Sequence, residues 1–171
     1  MIPRRNREKA LLYLGAMARL PDRFDLLVRK AQNCADPIRQ ADYILGALTG
    51  LKEWYFIAQS REQNPEPFEI EGTSCVLVFS DPSHIEELQL APGSYPLKAI
   101  SMPTAGAMAW CVERKVGLVL NPAAQGTVLI PFDQLKAFHA EWSQRDGWQT
   151  AGFWIPNMTT EEEDFWQEHG L

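Results

Sequence analysis

The feature that most constrains this chain is the apolar run CVLVF at residues 75–79, followed at once by Ser80, Asp81 and Pro82. A run this short, unbroken and rich in valine suits a buried strand; a half-exposed strand would alternate polar and apolar residues. Asp81 can cap a helix, and Pro82 fits its first turn because proline there gives up no helical hydrogen bond. The junction therefore predicts a strand that passes directly into a helix running to Leu90, with Glu86 and Glu87 near its positive end.

Upstream of residue 52 the periodicity is helical. Leu11, Leu14, Met17 and Ala18 recur at three- and four-residue steps before Pro21, and Phe24, Leu27, Val28 and Ala31 repeat the pattern after Asp22. Asp36 and Pro37 then form a cap and first-turn pair for a third helix ending at Gly50, with Ile38, Ala41, Ile44, Leu45 and Leu48 as its apolar stripe. ALLYLGAMARL and ADYILGALTGL align at an offset of 31 residues. A solenoid needs about three such units, so chance or a packed helix pair is the simpler reading.

After Lys52 the elements are short and extended. Strands are predicted at residues 54–58, 68–70, 98–102, 117–120 and 127–130, the last two joined as a hairpin around NPAAQG. Between them Ala105, Met108, Ala109 and Val112 mark the inward face of a helix with Arg114 and Lys115 in its last turn and Gly117 just beyond. Pro103 is expected in that helix's first turn, with Ser101 or Met102 near the cap. A helix from Phe132 to Trp142 follows. Beyond it Trp148, Phe153, Trp154, Phe165 and Trp166 stand in a polar and acidic tail. The tail should lie against the rest of the fold and end in a short helix from about Thr160, capped by Thr159 or Thr160. The fold class that follows is α+β or α/β: a small mixed sheet with flanking helices, preceded by an N-terminal helical segment. The expected divisions are residues 1–52, 53–144 and 145–171.

At 171 residues, 46% hydrophobic and 22% charged, the chain can bury a core and fits one domain or one domain with an appended helical segment. Its net charge is −6, which would repel phosphate backbones, so no nucleic-acid partner is expected. The apolar stretches fall well short of the roughly 20 residues a membrane helix needs, and Arg19 breaks the first of them without a cleavage pattern. Neither a membrane association nor a signal peptide is expected. The three cysteines, Cys34, Cys75 and Cys111, are odd in number and widely spaced, which fits a reducing, cytoplasmic setting.

Residues 54–142 resemble the N-terminal domain of the SseB family, named for enhanced serine sensitivity. The likeness rests on CVLVFSDPSHIEEL and on KVGLVLNPAAQGTVLI, where a helix leads into a strand closed by Asn121 and Pro122. The resemblance implies an α/β domain and marks fold more than chemistry. The helical front end and tryptophan-rich tail depart from simple family form.

No catalytic residue, metal or cofactor is expected. Ser80, Asp81, Ser83 and His84 lie within five residues. Neighbours on one helical turn point in different directions, so capping explains them better than a triad. His84, His139, His169 and the cysteines show no ligand pair at helical spacing. Cys75 and Cys111 fall in apolar runs and read as inert, although Cys111 lies near Arg114 and Lys115. The glycines form no phosphate-cradling fingerprint. Asn121 and Pro122 either present an amide to a pocket or initiate a turn, with Asn121 bonding its own backbone, and turn chemistry favours the second. Trp148, Trp154 and Trp166 either contact a ligand or partner or fold back on the domain. Burying one aromatic contributes about 1.5 to 3 kcal/mol, which favours folding back. The expected role is a non-enzymatic binding or adaptor module with a protein partner or self-association; the alternative is a small-molecule (amino-acid) sensor.

Overall fold

The computed structural model describes residues 23–58, 64–85, 98–122, 127–151 and 154–168. The predicted helix before Pro21, the far end of the helix begun at Pro82, and His169 lie outside them. Helices α1 (Arg23–Gln32) and α2 (Pro37–Thr49) precede strands β1 (Glu53–Ala58), β2 (Phe68–Ile70), β3 (Thr73–Phe79) and β4 (Lys98–Pro103). Then come α3 (Thr104–Arg114), β5 (Gly117–Leu120), β6 (Val128–Ile130), α4 (Phe132–Trp142), the single turn α5 (Trp148–Ala151) and α6 (Thr160–Glu168).

The strands form one mixed sheet in the order β4-β1-β3-β5-β6, with β2 paired to the first half of β3. The β3–β5 pair is parallel and all other pairs are antiparallel. The fold is thus the α+β arrangement with flanking helices that the period changes implied. In β3 the residues Cys75, Val76, Val78 and Phe79 are buried, as a strand covered on both faces requires. One hydrophobic cluster runs from Leu27 and Ala31 of α1 through Trp54, Val76 and Leu118 of the sheet to Ile155 and Trp166 of the tail.

The local caps form as their chemistry dictates. Asp36 caps α2, its Oδ1 accepting from the Ile38 N–H at 3.0 Å with Pro37 following. Asp81 accepts from the Ser83 N–H at 2.8 Å, placing Pro82 in a first helical turn. Thr159 and Glu162 form a reciprocal capping box at the start of α6: the Glu162 N–H donates to Thr159 Oγ1 at 3.3 Å, and the Thr159 N–H to Glu162 Oε2 at 3.0 Å.

Two expectations, on Pro103 and Ile38, are corrected. Pro103 is not in the first turn of α3; it ends β4, in register with Glu53, and caps the helix from an extended conformation. β4 lies at the end of the strand order, where a residue without an N–H can be accommodated. Gly117 stands just beyond the end of α3 and begins a strand, as expected. Lys115 takes the left-handed cap (φ 56°), and Gly117 opens β5, where a Cβ would meet the Ile130 carbonyl oxygen at 2.6 Å. Ile38 is 73% exposed instead of joining the α2 stripe, while residues 42–49 are all buried. The tail covers the face of α2 that its amphipathic pattern assigns to solvent.

Candidate functional site

Two places hold the residues singled out by sequence. The first is the carboxyl end of the parallel pair. Because β3 and β5 run in register (Val78↔Leu120), Ser80 and Asn121 emerge side by side. The Ser80 N–H donates to Asn121 Oδ1 and Asn121 Nδ2 donates to Ser80 Oγ, both at 3.0 Å. Asn121 adopts a left-handed conformation (φ 44°), which asparagine tolerates. Its amide therefore bonds neither its own backbone nor an open pocket; it ties two strand ends together. Pro122, half-buried beside it, follows the strand end.

The second place is the tail. Trp166 is buried in the core, and Trp154 stacks on Phe138 (5.2 Å between centroids) with the Arg145 guanidinium 4.9 Å from its ring. The Trp154 N–H and carbonyl both bond Thr49 Oγ1, at 3.0 and 3.1 Å. Trp148 borders a recess. Its ring meets Trp142 at 5.1 Å and His139 at 5.4 Å, edge to face.

That recess is a cleft of about 220 Å³ where four chain segments meet. Thr49, Gly50, Leu51 and Lys52 form the corner between α2 and β1; Pro103, Thr104 and Ala105 form the corner between β4 and α3. Trp142 from α4, with Trp148 and Gln149 from α5, closes the aromatic side. The sheet sets this geometry. β1 and β4 pair through Glu53↔Pro103, and the next rung is the Thr104 N–H donating to the Lys52 carbonyl at 3.2 Å. The Thr104 hydroxyl donates to the Leu51 carbonyl, and Trp54 Nε1 donates to the Leu48 carbonyl at 3.1 Å. Both corners are thereby fixed.

The donors at the cleft are the start of α3 and Lys52. No side chain caps α3, so beyond Thr104 its first-turn N–H groups are those a helix leaves without internal partners. Lys52 is exposed, forms no ion pair among the described residues, and is the one charged residue in the lining. Trp142 is 1% exposed, yet its indole N–H has no hydrogen-bond partner. The nitrogen is itself buried, so it is not a donor that a molecule in the cleft can reach. The hydroxyls of Thr49 and Thr104 are already engaged, and no nucleophile–base pair stands in the lining. The arrangement can bind; nothing in it is set up to activate a nucleophile.

Elsewhere the reactive residue types are subdued. Burial pushes the Cys111 thiol up to about 12 and raises that of Cys75, so neither is an activated thiolate. Burial also lowers the His139 imidazole, whose Nε2 is buried without a partner against the Trp148 side of α4. Among the described residues no three His, Cys, Asp or Glu side chains gather as metal ligands, and no helix is long and apolar enough to cross a membrane.

Sequence reasoning named Trp148 but missed Lys52, Thr104 and Trp142. The available signal was the PTAGA start of α3, a helix entrance lined by small residues without a Ser, Asp or Asn cap. The fold and cleft together define a mixed α+β protein with a small, donor-lined recess. No family model matches the chain, and no curated protein matches it significantly. The SseB resemblance therefore rests on its motifs alone.

Proposed function

We propose that this protein is a non-enzymatic binding module, cytoplasmic and related to the SseB family, and that it binds a small molecule in the cleft between the α2–β1 and β4–α3 corners. The observation that carries this reading is a preformed recess of about 220 Å³ in which Lys52 and the uncapped start of α3 stand beside Trp148. Ligand pockets combine apolar walls with a few convergent polar groups. This one lies below the roughly 300 to 1,000 Å³ common for drug-sized ligands, which favours a metabolite of modest size. The choice favours a small-molecule sensor over an adaptor, because Trp154 and Trp166 pack internally and Trp148 lines the cleft.

A thermal-shift panel of small metabolites tests the reading. A saturable rise in melting temperature is expected for a ligand that binds only the native state, and a flat response across the panel would count against it. Self-association or a protein partner is the second reading. It draws on Leu129, 44% exposed on β6 at the end of the strand order. A concentration-dependent sedimentation profile abolished by Leu129→Lys would favour it.

A further inference from the structure

We propose that His139 is a proton-operated latch on α5: while its imidazole is neutral the Trp148 ring stays packed on α4 as a wall of the cleft, and protonation releases it. The latch itself stands on the contact between α4 and α5; its effect on a ligand rests on the reading of the cleft as a binding site. His139 and Trp142 lie one turn apart on α4, and the Trp148 ring meets both, at 5.4 and 5.1 Å between centroids. Trp148 is half-buried and lines the cleft, so this contact decides whether that wall is present. α5 is a single helical turn, and Gly147 (φ 67°) places a joint just before it. His139 Nε2 is buried with no hydrogen-bond partner. A neutral imidazole can leave that nitrogen without a proton, whereas an imidazolium carries an N–H on both nitrogens. Protonation therefore puts a charged donor where no acceptor stands, and moving Trp148 aside lets water supply one. Among the described residues nothing offsets the added charge. α5 carries no charged side chain, and Glu113, Asp133, Glu141 and Asp146 are exposed. Arg114 of α3 turns to Trp110, Lys136 to Phe132 and Arg145 to Trp154, while Lys52 shares the cleft lining with Trp148. Burial is what acts on the imidazole, and it lowers it. The docked state thus binds the proton less well than the released one, so docking is strongest above the ordinary histidine value of about 6.5 and weakens as pH falls below it.

Fluorine NMR of the full-length chain labelled with 5-fluorotryptophan tests the latch without any ligand. The signal missing in Trp148→Phe is that of Trp148, and its displacement between ordinary and heavy water reports how far solvent reaches the ring. From about pH 7.5 to about pH 5 that displacement should rise toward the value of a fully exposed tryptophan, with the same midpoint, below about 6.5, as the His139 Cε1 proton. In His139→Gln, whose side chain takes up no proton, it should stay at its neutral-pH value throughout. A His139 midpoint at or above about 6.5, a Trp148 ring whose solvent access does not follow that midpoint, or an unchanged pH response in His139→Gln would each overturn the latch. The two midpoints in the natural protein decide the matter even if the variant does not fold. A failed latch leaves the cleft reading to the thermal-shift panel; a flat panel with coincident midpoints would remove the ligand and keep the latch.

Discussion

The two ends of α2 meet the rest of the protein in opposite ways. Towards its start, Arg39, Asp42 and Tyr43 face Glu162 of α6. Arg39 and the Tyr43 hydroxyl both bond the Glu162 carboxylate; Arg39 also donates to Asp42 at 3.2 Å and to the Pro156 carbonyl at 2.7 Å, and Lys30 stands 3.7 Å from Glu162. At its other end, past Thr49, the helix opens onto a cleft whose one charged residue, Lys52, forms no ion pair among the described residues. Burial would raise the Glu162 carboxyl, but bonds from Tyr43 and the Thr159 N–H and the charges of Arg39 and Lys30 hold it below its ordinary value. Burial and the Glu162 carboxylate push the Tyr43 hydroxyl up to about 12. A polar cluster whose members satisfy one another fixes a tail; a recess bordered by a single unpaired charge stays open.

The largest test of this contrast removes the tail. Deleting the residues after Asp146 takes away Ile155, Trp166 and Glu162 together, and two buried large side chains alone are worth about 5 kcal/mol or more, comparable to the whole stability of many domains. Urea melts should find a strongly destabilised, aggregation-prone chain; an unchanged midpoint and slope would break the packing account. Gly46→Leu comes next. A Cβ there would sit 2.6 Å from Ile155 Cγ1, so overpacking should cost about 3 kcal/mol. Binding at the cleft should change little.

Glu162→Gln should cost about 2 kcal/mol near neutral pH by leaving Arg39 and Lys30 short of a carboxylate. Because the folded-state pKa of Glu162 is depressed, its contribution is full above the unfolded carboxylate value of about 4.3 and is lost as pH falls through the lower folded value. Asp42, raised by burial, acts in the opposite sense. The stability difference between the natural protein and Glu162→Gln isolates the first effect, and it should shrink on acidification below about pH 4. A difference that stays constant down to acid-unfolding conditions would deny the clamp its charge. The smallest effect is that of Asp81→Ala, about 1 kcal/mol from a lost cap with cleft binding intact. Lost binding at unchanged stability would move Asp81 from capping to function.

Much of this protein was settled by residues close together in the chain. The buried strand at Cys75, the caps at Asp36 and Asp81, the α6 start at Thr159 and the extent of α4 follow from cap chemistry and period, each decided within a few residues. Other features belong to the tertiary structure alone. Residues 42–49 are buried on every side of α2 because a tail more than 100 positions away covers its second face. Asn121 bonds Ser80, 41 residues distant, because parallel pairing ends the two strands together. The close approach of the Ile130 backbone to Gly117 is set by the pairing of β5 with β6. The cleft gathers Lys52, Thr104, Trp142 and Trp148 from separate elements. Local sequence dictates which face of an element is apolar, but which distant backbone lies against it depends on strand register and helix packing, and neither leaves a signature at the residues that meet.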